Sequence, residues 1–391
     1  MHLIFFTHPN FLGHQSMPRF AKMLANGMEK RRHQVEIWSP KPYFFNLPFP
    51  NVFKKWFGYI DQYLIFPIQT RKKLKALEPD ILFVLTDHAL GPWVPLVAKR
   101  SHVIHCHDFL AQHSALGLIP ENPTSWTGKQ YQAYIRRGYS KGKNFISVSK
   151  KTQKDLHSFI KPALIESSVV YNGLNQSFDK KDIVIARKEF SDQTGLNLEN
   201  GYLLHIGGNQ WYKNRSGVVA VYDAWRNISK TSLPLILIGE KPDEKLTEKI
   251  SQSKYKSEIY SFNKIQDNLI SAAYSGASVF LFPSLAEGFG WPIAEAMACG
   301  CPVITTDEAP MTEVAGEEGF LIPKQPQDVI EVQAWAQNAA KTVEKIILLS
   351  PEERIGIVQS GLENAKRFDA DLALDKIEHI YQSILQKHKN G

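Results

Sequence analysis

Short apolar runs, each closing on a polar or small residue, recur along the chain at the spacing of strands that alternate with helices. HLIFFTH (2–8), VEIWSP (35–40), DILFVLTD (80–87), HVIHCHD (102–108), NFISVSKKT (144–152) and SVVYNGL (168–174) form a first set. YLLHIGG (202–208), LPLILIGE (233–240), EIYSFN (258–263), SVFLFPS (278–284), PVITTD (302–307) and FLIP (320–323) form a second. Segments long enough for a helix, such as MPRFAKMLANGMEKRRH and GVVAVYDAWRNI, lie between them. A short apolar strand that must be covered on both faces, followed by a crossover, is the signature of a parallel, doubly wound α/β sheet. The chain therefore reads as two Rossmann-like α/β domains facing a central cleft. The seam falls near the polar, glycine-containing YNGLNQSFDK (171–180). The expected domains are 1–178 and 179–370, followed by a helix over 371–391. There Leu374, Ile377, Tyr381, Ile384 and Leu385 fall near helical spacing, so the segment can pack back across either domain, with the N-terminal one assigned here.

The 391 residues are 43% apolar and 22% charged, which fits a globular chain and argues against disorder. No apolar run is long enough to span a bilayer, and the start, MHLIFFTHPNFLGHQ, lacks the basic region of a secretory signal. Cys299 and Cys301 stand too close for a comfortable bridge and Cys106 stands alone, so a reducing cytoplasm is the expected setting. The net charge of +7 conceals an asymmetry. Residues 1–180 carry 24 Lys and Arg against 11 Asp and Glu, whereas the remainder carries 22 against 28. A basic half is suited to an anionic partner, be it nucleic acid, membrane surface or phosphorylated substrate. A surface that merely aids solubility is the plainer reading.

The densest chemistry lies in FPSLAEGFGWPIAEAMACGCPVI (282–304). A strand ends, a loop with Glu287, Gly288, Phe289 and Gly290 follows, and Pro292 suits the first position of a helix that Gly300 closes. Amides at a helix N-terminus, approached closely through glycines, favour a phosphate. Glu287 and Glu295 stand eight positions apart and can address different parts of one extended ligand. Carboxylates beside a phosphate site are best used on hydroxyls, so a polyhydroxylated ligand fits, with Glu287 on a sugar and Glu295 on a ribose. A capped helix carrying two surface acids explains the same spacing.

The stretch EGFGWPIAE resembles the Glu–seven residues–Glu signature of the retaining glycosyltransferases of family 4, which have the GT-B fold. The likeness extends over 275–323, over IYSFNKIQDNLISAAYSGA (259–277), and over LLHIGGNQWYKNRSGVV (203–219). It implies a nucleoside diphosphate sugar donor, UDP- or GDP-linked, bound by the C-terminal domain. The donor-binding residues it implies are Gly13, Gly208, Asn209, Lys213, Asn214, Ile265, Glu287, Gly288, Phe289, Gly290 and Glu295. Lys213 places an ammonium over the diphosphate, and Arg215 does the same or is simply exposed. The family often has an arginine directly after the first glycine of this loop. Here that position is Gly208, which leaves Asn209 or a residue of the other domain to compensate. The resemblance assigns catalytic roles to His107, Lys213 and Glu287, with His107 on a sugar hydroxyl and Asp108 orienting its ring. It implies no cofactor and no metal.

Other features carry less. His105, Cys106, His107, Asp108 and His113 are suitable metal-ligand types, but the spacing matches no zinc pattern, and a hydrogen-bonded strand end explains them as well. Gly13 lies in the first strand–helix loop and serves either a ligand or an ordinary turn. Residues 41–75 interleave seven basic side chains (Lys41, Lys54, Lys55, Arg71, Lys72, Lys73, Lys75) with Phe53, Trp56, Phe57, Tyr59 and Tyr63, against one acid, Asp61. That mixture suits peripheral contact with an anionic membrane at its inner face. Packing of the aromatics into a core is the alternative, and nucleic acid is not expected as a partner. Asp369-Ala370-Asp371 reads as a helix cap and not as a metal motif.

The expected activity is transfer of a hexose-type sugar, with retention, to a hydroxyl of a glycan or lipid-linked acceptor, in envelope polysaccharide or glycolipid synthesis. The alternatives are a non-catalytic nucleotide-sugar-binding assembly protein and a nucleotide-sugar epimerase of the same architecture.

Overall fold

The computed structural model describes residues 1–13, 16–174, 178–263 and 265–390. Contacts divide the chain into two compact units, Met1–Asn175 with Ala370–Gly391, and Gln176–Asp369. Of the expected seam, residues 175–177 lie outside the described residues.

The first unit is built on six parallel strands: β1 (His2–Phe6), β2 (Gln34–Trp38), β3 (Ile81–Leu85), β4 (His102–Cys106), β5 (Asn144–Ser147) and β6 (Glu166–Val169). Their order across the sheet is β2-β1-β3-β4-β5-β6, with Phe6 level with Trp38 on one side and Leu85 on the other. Every residue of β3 and β4 is buried, as a parallel sheet covered on both faces requires. One face carries Phe20, Leu24 and Met28 of the helix Ser16–Lys30, together with Leu374, Ile377, Tyr381 and Ile384 of the helix Ala370–Asn390. The apolar spacing of 374–384 is thus used against the first sheet. Polar contacts fix the docking: Arg31 pairs with Asp375 at 2.6 Å, and the buried Tyr381 hydroxyl lies 2.7 Å from His105 Nε2. The opposite face packs Phe83, Leu85, Trp93, Tyr139, Phe145 and Leu156.

The second unit repeats the plan with β7 (Leu203–Ile206), β8 (Leu235–Ile238), β9 (Ile259–Phe262), β10 (Val279–Phe282), β11 (Val303–Thr306) and β12 (Phe320–Ile322). All are parallel, in the order β12-β11-β10-β7-β8-β9. Val218, Val219, Tyr222 and Trp225 of one helix and Trp335, Ala339, Val343 and Ile346 of another seal one side of this sheet. In each unit the chain order reverses once, between β1 and β3 in the first and between β7 and β10 in the second. Loops diverge at such a point and leave a crevice at the carboxyl ends of the strands, where ligands of open α/β sheets bind.

The basic aromatic stretch is helical over Asn51–Ile60 and Phe66–Leu74, joined by a wider turn at Asp61–Ile65. Its aromatics divide between packed and exposed positions. Tyr59 and Tyr63 pack with Tyr131, while Tyr43, Phe49, Phe53 and Trp56 are exposed, Trp56 to 60%. The lone acid, Asp61, is buried and accepts the amides of Phe44 and Phe45 at 3.0 and 2.9 Å. Its charge is therefore spent internally, and the outer surface of the stretch is left basic.

Candidate active site

The loops after β7 and β10 meet at the switch point of the second sheet. Gly207–Asn209 leave β7, and a short turn, Trp211–Lys213, leads to the helix Arg215–Ile228. Asn214 takes a left-handed backbone (φ 53°) and caps this helix, its Oδ1 accepting the Gly217 amide at 3.1 Å. Its Nδ2 donates to the Pro283 carbonyl at the end of β10, 2.9 Å away. The Tyr212 carbonyl receives the Leu285 amide at 2.7 Å and faces the Ser284 hydroxyl at 2.7 Å. The two loops are thereby held together across the reversal. β8 closes against them through Gly239, whose backbone (φ 144°) leaves no room for a Cβ, which would lie 2.1 Å from the Gly207 carbonyl oxygen.

This scaffold brings Lys213 and Glu287 into contact. Lys213 Nζ donates to Glu287 Oε1 at 2.7 Å, and the Ser284 hydroxyl lies 2.7 Å from the same oxygen. The ammonium also lies 5.3 Å from the Tyr212 ring centre and 5.2 Å from that of Phe282, in cation–π range. The side chains are 16% and 8% exposed, so the pair is shielded but reachable. Gly288 to Gly290 follow, and Gly290 adopts a left-handed conformation (φ 105°) that turns the chain into the helix Trp291–Ala298. That helix starts one residue before Pro292, which still falls in the first turn where no intrahelical donor is lost. Glu295 lies on it, half-buried, with Oε2 accepting the buried Tyr274 hydroxyl at 2.9 Å. Gly208 and Asn209 border the same loop, and Ile265 follows β9 at the carboxyl edge of the sheet. The Phe289 ring is buried and packs edge-on against Phe368 at 5.5 Å, so its side chain serves the core.

Beneath the loop, His205 is fully buried. Its Nδ1 donates to the Leu281 carbonyl at 2.9 Å, while Nε2 has no partner. Burial pushes its pKa down to about 3, only partly opposed by the bond to Leu281, and the nearby Arg215 and Lys213 lower it further. It is a neutral support. Arg215, left open by the sequence between a ligand and an exposed residue, is buried.

The other expected residues belong to the first unit. Gly13 (φ 71°) ends a short turn after β1 and has open space around it. His107 follows β4, buried, its ring edge-on to Phe20 at 4.5 Å and its Nε2 donating to the Thr86 carbonyl at 2.8 Å. Burial lowers its pKa, against the pull of Asp87. The expectation that Asp108 orients this ring is corrected: Asp108 Oδ1 accepts the Leu110 amide at 2.9 Å, and Thr86 does the orienting. His105 turns to Tyr381, and His113 lies 3.3 Å from Asp155, so the suggested metal ligands point to different partners. Among the described residues no group of three His, Cys, Asp or Glu side chains could hold a metal. Asp369 directly precedes the last helix, in extended backbone, where a cap stands.

Sequence reasoning missed several participants. Ser284 and Tyr212 stitch the two loops, Tyr274 holds Glu295, and Asp87 lies 2.9 Å from His8 at the switch point of the first sheet. Ser284 and Asp87 could have been found, since each is the polar residue that ends an apolar run. Chemically, the second unit sets a cation and a helix N-terminus beside two carboxylates. That arrangement is chemically suited to an anion at one end and hydroxyl groups at the other.

Known proteins share the sequence pattern and the fold of both units. The family model described as Glycosyl transferases group 1 matches residues 201–344, and that described as Glycosyltransferase Family 4 matches 17–178. The chain belongs to the family 4 (group 1) glycosyltransferases. The O-antigen chain mannosyltransferase B of Escherichia coli is 32% identical to this family 4 chain over 34% of its residues, which is 35% of that protein's length. The N-acetyl-alpha-D-glucosaminyl L-malate synthase of Bacillus anthracis is 24% identical over 94% of both chains. Among solved structures, Anabaena HepE, determined with UDP and glucose, superposes with a TM-score of 0.71 at 17% identity, covering 98% of this chain and 100% of that one. WaaG, a glycosyltransferase involved in lipopolysaccharide biosynthesis, gives 0.68 at 14% identity, covering 97% and 99%. The fold of this family 4 chain, two six-stranded parallel α/β units, is GT-B.

Proposed function

We propose that the protein transfers a hexose-type sugar, with retention and without a metal, from a nucleoside diphosphate sugar to a hydroxyl of a glycan or lipid-linked acceptor. The observation that carries this reading is the Lys213–Glu287 contact at the reversal of the second sheet, next to the N-terminus of the Trp291 helix. A cation and a carboxylate 2.7 Å apart suit the two sides of one bond, the phosphate and the sugar.

In this reading Lys213 and the first-turn amides stabilise the charge that develops on the departing diphosphate. Glu287 holds sugar hydroxyls and Glu295 the ribose. His107, neutral because it is buried, hydrogen-bonds a sugar hydroxyl. The bond from the anomeric carbon to the diphosphate breaks as a bond to the acceptor oxygen forms on the same face, and the acceptor's proton passes to the leaving phosphate. UDP as carrier is supported by the UDP found in HepE, and a hexose as the sugar by the mannosyltransferases among the relatives. O-antigen and phosphatidyl-myo-inositol mannosyltransferases among those relatives support an envelope polysaccharide or glycolipid product.

Contact with the inner face of an anionic membrane belongs to the same reading. Val52, Phe53 and Trp56 are exposed on one turn and a half of helix, with Lys55 exposed on the same helix and Arg71, Lys72 and Lys75 exposed at the end of the next. No described helix is long and apolar enough to cross a membrane. The test is release of nucleoside diphosphate from a panel of UDP-, GDP- and ADP-sugars, with and without membrane extract. Release that requires the extract supports the proposal. Binding without turnover supports an assembly protein, and product sugar joined to no acceptor supports an epimerase.

A further inference from the structure

A cavity of about 370 Å³ opens at the amino ends of β4, β5 and β6 in the first unit. Its wall is built from the turn before β4, the starts of β5 and β6, and the last turns of the helix Ala370–Asn390. β4 is five residues long, which puts about 16 Å between this end of the sheet and His107 at the other. The cavity is therefore separate from the crevice at the carboxyl ends of the strands.

The wall is positively charged. Among its described residues Lys99, Arg100, Lys143 and Lys387 stand against one carboxylate, Glu166. Lys387 pairs with Glu166 at 2.8 Å, and the Arg100 guanidinium is spent on the carbonyls of Leu74, Leu77 and Glu78. Lys99 and Lys143 are exposed and form no ion pair with a described residue. Between them the wall is held rigidly. His102 is buried, donates from Nδ1 to the Arg100 carbonyl at 2.8 Å and accepts the Lys143 amide on Nε2 at 3.1 Å. Burial lowers its pKa against the bond to Arg100, and the charges of Lys143 and His388 act in the same sense as burial. Next to it Ser101 is 4% exposed, and its hydroxyl meets no partner among the described residues. A buried hydroxyl left unpaired is costly, and a ligand oxygen at this wall satisfies it. Leu164, 70% exposed, belongs to the same wall with Ile165 and Ile384. Two unpaired ammonium groups beside exposed apolar surface suit a doubly charged head on an apolar body.

We propose that this cavity is a second ligand site, which takes the phosphate of a phosphate ester between Lys99 and Lys143, at the Ser101–His102 wall, with the ester's apolar body against Leu164. It uses no residue of the second unit and stands independently of the nucleotide-sugar reading. A soluble phosphate ester and the phosphate headgroup of a lipid present the same chemistry here.

The test is calorimetric titration of the full chain with phenyl phosphate, with inorganic phosphate, and with phenol as the uncharged counterpart. Wild type is compared with the double variant Lys99→Gln/Lys143→Gln and with Lys213→Gln, each checked for fold by circular dichroism. Wild type should bind phenyl phosphate more tightly than inorganic phosphate, and phenol not measurably. The double variant should weaken phenyl phosphate by about tenfold, while Lys213→Gln leaves it within about twofold. If the double variant does not fold, Lys99→Gln and Lys143→Gln are read singly, each with a loss of about threefold. Failure of wild type to bind phenyl phosphate overturns the proposal, as does binding that survives the double variant or is lost only in Lys213→Gln. Sedimentation with vesicles of phosphatidylcholine and phosphatidic acid separates the two sources. Loss of both phenyl phosphate and vesicle binding in the double variant assigns the cavity to a lipid headgroup. Loss of phenyl phosphate alone assigns it to a soluble ester. Loss of vesicle binding alone marks a diffuse basic face and overturns the proposal.

Discussion

Acid should loosen the second unit through His205. The ring is fully buried in β7, donates from Nδ1 to the Leu281 carbonyl, and has its pKa pushed from 6.5 down to about 3 by burial. Above about pH 6.5 the ring is neutral in folded and unfolded chains alike, and stability is at its full value. As the pH falls below that, the unfolded chain takes up a proton that the folded one refuses. Stability then declines by about 1.4 kcal/mol per pH unit, down to pH near 3. Between pH 6.5 and 5 the loss from this one group is about 2 kcal/mol. His205→Asn removes the titration and keeps a side-chain donor for Leu281. Its stability is lower at neutral pH because the smaller side chain leaves a void, but its dependence on pH should be flatter by about one proton. Urea titrations from pH 5 to 7.5, read by hydrogen exchange in peptides from β7 and β8, isolate this unit. If wild type and variant lose stability in parallel between pH 6.5 and 5, the reasoning is wrong. His105, also pushed down to about 3 by burial, should act in the same sense in the first unit.

The site and the surface make separate predictions. Glu287→Gln should cut nucleoside diphosphate release by about a hundredfold or more, and the freed Lys213 should cost at most about 3 kcal/mol of stability. Near-normal release in a donor assay would strip Glu287 of its role. Glu295→Ala should weaken binding of a nucleoside diphosphate by about tenfold while leaving pyrophosphate unaffected, as a contact to the ribose requires; calorimetry separates the two. Lys54 ties down the Phe45 and Leu47 carbonyls, so Lys55→Gln and Lys72→Gln form the cleaner surface pair. Together they should lower partition onto anionic vesicles by about thirtyfold, from about 1 kcal/mol per charge, and unchanged sedimentation with vesicles would reject the membrane contact.

The strands were legible because burial on both faces forces continuous apolar runs, and each of the twelve runs overlaps a strand, β6 by only Ser168 and Val169. The candidate site was legible where glycines and carboxylates mark a loop, as at Glu287–Gly290. What stayed hidden depends on contacts between distant segments. Nothing near Lys213 announces that it meets a carboxylate 74 positions away, nor does Arg215 reveal that its guanidinium is enclosed by Asn209 and Glu240. Asp108 looked like the partner of its neighbour His107, but a side chain so near in sequence more readily caps the next turn. Asp61 is the clearest case. Its sequence neighbours suggest a surface charge, and the structure buries it under two backbone amides.

The account stands or falls on where the donor's pyrophosphate sits. A crystal structure with a non-hydrolysable UDP- or GDP-sugar should show its phosphate oxygens at Lys213 Nζ and the Gly288–Trp291 amides, with a sugar hydroxyl on Glu287. A nucleotide lodged anywhere other than the junction of β7 and β10 would contradict it.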